Sequence, residues 1–402
     1  MSRSARIGAS LEVDPGDAAP APATYDVAAL RAAEFPWAGE TVYLDHASIG
    51  PLPERTRRTI GVMADKRARP FDIKAADQFG GLARARSLAG RLINADPGEI
   101  ALATNTTFGL ALAAGALPWK AGDIVLVSER EFPANVYPWK RLEARGVHLE
   151  LVPTTAEGWP DEARLLERLE DPRVRCLALS LTQFASGYTA DVARFSAVTR
   201  QRGQFLVLDA IQGLGQLPFD VRKTPVDILS SGAQKWLLSP WGSGFLYVRK
   251  ELIETLEPTM VSWMSFEGTD DFTTLCHYRD ELRHDARRFE LITLPFQDFV
   301  AMNESLDLLL QLGIPAIQRH LATLQDRLVG WARDRGVPVA SPTDRHRSGI
   351  TCLAPPDIAN VHRALRDAKI FCSLREGAIR ISPHCYNTLE DIERVIEVLE
   401  SK

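Results

Sequence analysis

Short apolar runs alternate with amphipathic stretches between about residue 98 and residue 250. The amphipathic stretches, such as 161–170 and 192–202, have the spacing of helices that pack on one face. The apolar runs lie at 124–127, 147–152, 176–180, 205–209 and 244–248. Apolar strands separated by helices are typical of a buried, largely parallel sheet with helices on both faces. The pattern therefore predicts an α/β domain.

The pattern changes after residue 295. Two consecutive helices are predicted at 299–312 and 314–335. A shorter α+β unit follows, with apolar runs at 349–353 and 378–381 and helices at 358–368 and from Leu389 onwards. We therefore predict a large domain over 51–295 and a smaller C-terminal α+β domain over 296–402. Residues 1–24, which mix charges with a Pro/Ala-rich stretch, are predicted to be a disordered tail.

Composition and charge narrow the class of protein. Hydrophobic residues make up 45% and charged residues 25% of the chain, which is typical of a soluble globular protein. The net charge of −5 argues against a nucleic-acid groove, and no window reaches the roughly 18 apolar residues of a membrane span. The five cysteines form no C-x-x-C pair, so neither a metal site nor a disulfide framework is predicted. A reduced, cytoplasmic protein fits this composition.

An acidic residue follows one predicted strand directly. Ligands of parallel α/β sheets collect beyond the carboxyl ends of the strands, and the run 205–208 ends in Asp209. A buried carboxylate needs a partner, because its desolvation is costly. From the residues alone, Asp209 is either a helix N-cap or structural ion-pair partner, or a carboxylate that holds a protonated ring nitrogen.

A lysine lies between two turns of small residues. Lys235 follows the segment 230–233, which contains only Ser, Gly and Ala, and precedes the Gly/Ser turn 239–244. A lysine in apolar surroundings usually extends to solvent. Small neighbours, however, would allow a bulky ring to approach, and desolvation lowers the pKa of a lysine and makes its amine available for Schiff-base formation.

These two segments resemble the class V aminotransferase family of fold-type I enzymes, which depend on pyridoxal 5′-phosphate (PLP). The resemblance extends from Tyr43 to the C-terminus and rests on Asp209-x-x-Gln212 followed by the small-residue turn that ends in Lys235. Relatives include cysteine desulfurases, kynureninases and isopenicillin N epimerases. The resemblance implies a Schiff base between PLP and Lys235, and a homodimer with the site at its interface.

The resemblance also implies roles for other cofactor-binding residues. Asp209 would pair with the ring nitrogen, Gln212 would bind the phenolic oxygen, and Phe132 would stack on the ring. The segment 103–109 resembles the family's phosphate loop at a helix start. Candidates for phosphate contacts are Thr106, Thr107, Ser231 and Gln234, with Trp263 or the turn 241–243 contributed by the partner chain.

Substrate-binding residues are implied near both ends of the chain. Arg380 is the candidate for the substrate α-carboxylate, because a guanidinium can bind it with two parallel hydrogen bonds, and Arg375 is a second candidate. Residues 25–50 resemble the N-terminal segment of the small domain that covers the active site, which makes His46 and Ser48 candidate substrate contacts. A purely structural role for His46 is equally open.

The reaction is narrowed by two features. Desulfurases carry a nucleophilic cysteine on a long loop, for which the interval 370–380 is too short, and Cys372 aligns poorly with it. Phe132 cannot transfer protons, so acid–base chemistry would depend on Lys235. We expect cleavage at Cβ of an amino acid, with a C–S bond as the candidate. The alternatives are an aminotransferase or epimerase, and a non-catalytic PLP-fold regulator, for which the 24-residue tail offers no DNA-binding domain.

Overall fold

A computed structural model describes residues 25–401, so the prediction for residues 1–24 falls outside the described part. The strands are β1 (Val42–Tyr43), β2 (Ile100–Leu102), β3 (Ile124–Ser128), β4 (His148–Val152), β5 (Val174–Ser180), β6 (Phe205–Asp209), β7 (Ile228–Gly232), β8 (Gly244–Val248), β9 (Thr351–Leu353), β10 (Ile370–Phe371), β11 (Ser373–Arg375) and β12 (Ala378–Ile381).

The helices lie between and after these strands. They are α1 (Val27–Glu34), α2 (Glu54–Ala68), α3 (Gly81–Ile93), α4 (Thr106–Ala116), α5 (Tyr137–Lys140), α6 (Glu162–Arg168), α7 (Val192–Arg202), α8 (Lys250–Ile253), α9 (Phe296–Leu312), α10 (Ile314–Asp334), α11 (Ile358–Asp367) and α12 (Leu389–Glu400).

Seven strands form the central sheet in the order β2-β8-β7-β6-β5-β3-β4. Neighbouring strands run parallel from β7 to β4, whereas β8 is antiparallel to both β7 and β2. Helices cover the sheet, so the predicted α/β architecture with a mostly parallel sheet is confirmed.

The continuous apolar character of these strands follows from burial on both sides. Along β3, Leu126 packs into one hydrophobic cluster while Val125 and Val127 pack into another. Along β5, Leu177 and Ala178 likewise belong to opposite clusters. Successive strand residues point to opposite faces, and each face is covered by helices, so neither face carries a polar stripe.

The C-terminal unit has its own small sheet, in which β12 pairs antiparallel with both β11 and β9. The N-terminal segment joins this unit, because β1 pairs parallel with β10 and Asp45 bridges to Ser382. Helix α9, in contrast, packs on α2 and α3, and Asn303 donates a hydrogen bond to the Gly81 carbonyl at 3.0 Å. This packing favours a domain boundary after α9 instead of at residue 296, and the division itself stays a prediction.

No helix among residues 25–401 has the length and apolar character needed to cross a membrane. The same residues contain no group of three or more His, Cys, Asp or Glu side chains arranged to hold a metal ion.

Candidate active site

Asp209 lies at the carboxyl end of β6, in the middle of the central sheet. Its side chain is buried, and Oδ1 accepts a hydrogen bond from the Ile211 amide at 3.0 Å. Burial raises the pKa of this carboxyl to about 6, while the amide of Ile211 and the charge of Lys235 act in the opposite direction. The carboxylate is therefore positioned to gain from a buried cation beside it.

Lys235 follows β7, the strand next to β6. Its backbone is tightly packed: the Gly50 amide donates to the Gln234 carbonyl at 2.8 Å, and a Cβ at Gly50 would lie 2.1 Å from the Lys235 carbonyl oxygen. Burial lowers the pKa of the Lys235 amine to about 8, with Asp209 opposing and Arg380 reinforcing the effect. A substantial fraction of neutral amine at physiological pH suits Schiff-base formation.

Gln212 lies one turn after Asp209 and is held at both ends of its amide. Oε1 accepts a hydrogen bond from Trp236 Nε1 at 2.8 Å, and Nε2 donates to the Ala47 carbonyl at 2.9 Å. An amide nitrogen carries two hydrogens, so one donor of Gln212 remains for a ligand. The amide thereby links the N-terminal segment to the residues around Lys235.

The start of α4 forms a polar corner with the end of β7. Thr106 is buried, and its Oγ1 accepts a hydrogen bond from the Gly232 amide at 2.8 Å, which leaves its hydroxyl hydrogen free to donate. A Cβ at Gly232 would lie 2.4 Å from Gln234 Oε1 and 3.3 Å from Thr106 Oγ1. Glycine thus keeps open a corner at a helix N-terminus, where an anion is stabilised.

These features fit the cofactor implied by the sequence. A buried carboxylate at Asp209 suits a protonated pyridine nitrogen, and a lysine with a lowered pKa suits the aldehyde. The corner around Gly232 and Thr106 suits the phosphate, because it combines a helix N-terminus with a free hydroxyl donor.

The Phe132 ring lies near the Lys235 amine, with Nζ 5.5 Å from the ring centroid. Phe132 packs edge-on against Phe184, at 5.3 Å between centroids, yet 44% of Phe132 remains exposed. An aromatic side chain that is so exposed next to a partly buried lysine leaves a ring face free for stacking.

Arg380 projects from β12 and is buried. Its Nη1 donates to the Phe184 carbonyl at 2.8 Å, and its Nη2 donates to Ser48 Oγ at 2.6 Å and lies 3.4 Å from Asp45 Oδ1. Arg375 Nη2 reaches the same Ser48 hydroxyl at 3.4 Å. The structure thus brings Ser48, Arg375 and Arg380 together beside the lysine whose pKa both arginines lower.

Other predicted residues lie further from this cluster or are engaged elsewhere. His46 is fully buried, Nδ1 donates to the Ser382 carbonyl at 2.8 Å, and burial lowers the pKa of the imidazole well below 6.5. Ser231 donates to the Gly232 carbonyl at 3.0 Å, and Thr107 is exposed. Trp263 packs against Phe272 at 5.7 Å between centroids, within the segment between α8 and α9. The roles assigned to these residues stay predictions.

Sequence reasoning missed a second buried carboxyl. Glu131 Oε1 accepts hydrogen bonds from the Ser180 amide at 2.8 Å and from Gln183 Nε2 at 2.7 Å, and Oε2 accepts one from the Ser180 hydroxyl. Burial raises the pKa of Glu131 to about 7, and the charge of Asp209 contributes in the same direction. The available signal was its position: Glu131 follows strand β3 and directly precedes Phe132, so the network anchors the backbone that carries the ring.

Comparison with known proteins identifies the family. The sequence profile of the aminotransferase class-V family matches residues 74–395. The chain belongs to this family. It is therefore a PLP-dependent enzyme, as the resemblance implied, and the cofactor prediction is confirmed.

Curated relatives span several reactions. An uncharacterized aminotransferase of Bacillus subtilis is 28% identical over 318 residues, covering 79% of this chain and 83% of the relative. Isopenicillin N epimerase of Streptomyces clavuligerus is 30% identical over 376 residues, covering 90% of this chain and 94% of the relative. A probable cysteine desulfurase of Pyrococcus abyssi is 28% identical over 335 residues, covering 79% of this chain and 82% of the relative.

Solved structures share the fold. A cysteine desulfurase from Thermococcus onnurineus superimposes with a TM-score of 0.83 at 21% identity, covering 95% of this chain and 99% of that chain. A cystine C–S lyase in complex with cysteine persulfide has the same TM-score and identity, covering 91% of this chain and 99% of that chain.

Proposed function

We propose that this enzyme cleaves a bond at Cβ of an amino-acid substrate, most simply a C–S bond. The observation that carries the proposal is the position of the Lys235 amine, which has a pKa of about 8 and lies 5.5 Å from the centroid of the partly exposed Phe132 ring. When bound, PLP supplies an electron sink for the charge left on Cα. Lys235 is then the base that takes the Cα proton.

The remaining residues position the two ligands. Thr106 and Gln234 would hold the phosphate at the start of α4, and the Asp209 carboxylate would keep the ring nitrogen protonated. Arg380 would bind the substrate α-carboxylate, because its guanidinium is fixed by the Phe184 carbonyl. Each role is assigned by the chemistry of the side chain and its place around Lys235.

The charged groups around Lys235 suit a sulfur leaving group, because a thiolate needs no strong acid beside it. The charged groups that influence the Lys235 amine are Asp209, Arg380, Arg375 and Asp45. Arginine stays protonated, and Asp45 accepts a hydrogen bond from Ser373 while facing Arg380. A thiol has a pKa of about 8.5, so a thiolate leaves without a strong acid beside it. An oxygen or carbon leaving group would instead depend on the Lys235 ammonium for its proton.

The cysteines favour direct elimination over transfer of sulfur to an enzyme thiol. Four of the five are buried. Burial raises the pKa of Cys352 to about 11 and that of Cys372 to about 12, so neither thiol is activated as a nucleophile. The buried thiols would therefore not accept sulfur, and in the proposed reaction it leaves as the thiol product.

Epimerisation at Cα is the second candidate, and the 30% identity to isopenicillin N epimerase over most of both chains favours it. An epimerase must return a proton to the opposite face of Cα. Retention of all substrate atoms with loss of chirality would therefore indicate epimerisation, whereas release of thiol would indicate cleavage.

We also propose a cytoplasmic homodimer. The segment between α8 and α9 exposes a group of large apolar side chains: Trp263, Phe272, Leu275 and Tyr278. Clustered apolar exposure of this kind is typical of a surface that is covered by a partner. All five cysteines are free, which is compatible with a reducing compartment.

The test combines peptide mapping of the lysine that carries the cofactor with analysis of the reaction products. Borohydride reduction of the holoenzyme followed by peptide mapping should place the reduced cofactor on Lys235, and a panel of S-substituted cysteines should release pyruvate, ammonia and thiol in equal amounts. Lys235→Ala should abolish both results, whereas the exposed Lys223→Ala should retain both. Reduced cofactor attached to another lysine would refute the assignment of Lys235. Formation of racemised amino acid without release of thiol would indicate epimerisation instead of cleavage.

A further inference from the structure

Two arginines lie on the same face of the small C-terminal sheet. In the antiparallel pair of β11 and β12, Ser373 is opposite Arg380, and Arg375 is opposite Ala378. Residues two apart on a strand point to the same side, so Arg375 shares the face of Ser373 and therefore of Arg380. The two guanidinium groups converge on the Ser48 hydroxyl, at 3.4 Å from Arg375 and 2.6 Å from Arg380.

The turn between the two strands fixes this arrangement. Glu376 and Gly377 connect β11 to β12 and both have positive φ, at 46° and 81°. Two positive-φ residues are typical of a type I′ hairpin, whose geometry matches the twist of the paired strands and sets their register. Arg375 is therefore positioned by a tight hairpin instead of by a flexible loop.

Arg375 and Arg380 differ in whether an acidic side chain lies beside them. Arg380 faces Asp45 at 3.4 Å, and Glu376 pairs with Arg130 at 3.5 Å. Arg375, however, is exposed; among residues 25–401 it donates hydrogen bonds to the Leu374 carbonyl at 3.0 Å and to Ser48 Oγ at 3.4 Å, and it forms no ion pair with a carboxylate. Both Arg375 and Arg380 lower the pKa of the Lys235 amine, so both charges act on the reacting centre.

We propose that the substrate carries a second acidic group on its side chain, which Arg375 binds while Arg380 binds the α-carboxylate. The inference rests on the proposed function, because it assumes that an amino acid is oriented by Arg380. Arg380 already faces Asp45, whereas the exposed Arg375 forms no ion pair among residues 25–401, so its guanidinium is free to bind a second acid. An acidic group on the substrate side chain would pair with Arg375 through charge-assisted hydrogen bonds.

This arrangement selects a substrate class. An amino acid whose sulfur carries a carboxylate, such as S-carboxymethyl-L-cysteine, presents acids at both ends of the bond to be broken. The neutral amide S-carbamoylmethyl-L-cysteine has nearly the same shape but no second charge. Preference for the acid within such a pair therefore reports the charge of Arg375 and not the size of the site.

The experiment uses the holoenzyme and two matched pairs of ligands. Glutarate and its monoamide glutaramate, which lack an amino group and cannot react with the cofactor, are titrated by calorimetry. The two S-substituted cysteines are compared by kcat/KM for thiol release. In each pair we expect the acid to be favoured about tenfold, the effect of one charge-assisted contact. Arg375→Gln should reduce the ratio below about twofold.

Two further variants serve as controls. Arg380→Gln should weaken binding of both glutarate and glutaramate, because both present a carboxylate to it. Arg335→Gln, which removes an exposed charge paired with Glu400, should leave the ratio as in the wild type. The difference between the three variants separates a specific contact of Arg375 from a general loss of positive charge.

The outcomes are distinct. The inference is overturned if the wild type shows no saturable glutarate binding, if its ratio is below twofold, or if Arg375→Gln retains the ratio. Cleavage of both cysteine derivatives without preference would overturn it while the proposed lyase function stands. Conversely, a glutarate preference that depends on Arg375, without thiol release from any substrate, would support the inference while the lyase function fails.

Discussion

Protonation of the Lys235 amine can be followed directly as a test of the electrostatics of the site. Burial lowers its pKa from the usual 10.5 to about 8. At pH 7 about one amine in ten is then neutral, compared with about one in 3,000 for an exposed lysine, as given by ten to the power of pH minus pKa. The protein thus enriches the reactive form roughly 300-fold.

The assay is the rate at which PLP attaches to the apoenzyme, followed by visible absorbance in a stopped-flow instrument. The rate should rise about tenfold per pH unit below pH 8 and level off above it, because only the neutral amine attacks the aldehyde. A free model amine measured over the same range corrects for ionisation of the cofactor itself.

Two variants should move the midpoint in opposite directions. The Asp209 carboxylate raises the pKa of Lys235, so Asp209→Asn should shift the midpoint below 8. The Arg380 guanidinium lowers that pKa, so Arg380→Gln should shift the midpoint above 8. Labelling of the amine with trinitrobenzenesulfonate, read by mass spectrometry at Lys235, provides the same titration without cofactor. A midpoint near 10, or shifts of the same sign in both variants, would refute the reasoning.

Two other predictions concern the cofactor corner and the buried carboxyl. Gly232→Ala places a methyl group 2.4 Å from Gln234 Oε1, so it should weaken binding of PLP at least tenfold but leave binding of pyridoxal, which has no phosphate, almost unaffected. The control is Gly330→Ala, which adds a methyl group in open space on α10. Equal loss of affinity for both ligands would contradict a phosphate site. The raised pKa of Glu131 stabilises the folded state fully below pH 4.5, and this contribution is lost as pH rises through about 7. Between pH 5 and 8 the free energy of unfolding of the wild type should therefore fall by up to about 2–3 kcal/mol relative to that of Glu131→Gln. Parallel profiles of melting temperature against pH for these two proteins would show that Glu131 does not titrate in this range.

Some of the site residues beyond the carboxyl ends of the strands could be identified from the sequence, and one could not. Asp209 could be identified because it lies directly beyond an apolar run, and Lys235 because it follows a segment of small residues; in the structure both lie beyond the carboxyl ends of adjacent parallel strands. Glu131 occupies the same kind of position beyond β3. It was missed because its partners, Ser180 and Gln183, belong to another strand and the loop that follows it, and their contact is a property of strand order.

In the N-terminal segment, the sequence could not predict which side chain faces the active site. Its residue types resemble a substrate-covering segment, yet His46 lies fully buried with its ring 5.2 Å from the ring of His384, while Ser48 reaches Arg380. Which of two nearby side chains faces the site depends on the pairing of β1 with β10, across more than 300 residues of chain. No local pattern encodes that pairing.

Five of the seven strands of the central sheet, the α/β class and the position of the reactive lysine could be predicted from the sequence, because strand and helix periodicity and the small-residue turn before Lys235 are local properties of the chain. The protonation equilibria and the charge arrangement of the site, in contrast, depend on the tertiary structure. Burial sets the pKa of Lys235 and of Asp209, and the hairpin register places Arg375 on the face of Arg380. Desolvation and Coulomb interactions depend on distances between residues far apart in the chain, and only the folded protein fixes those distances.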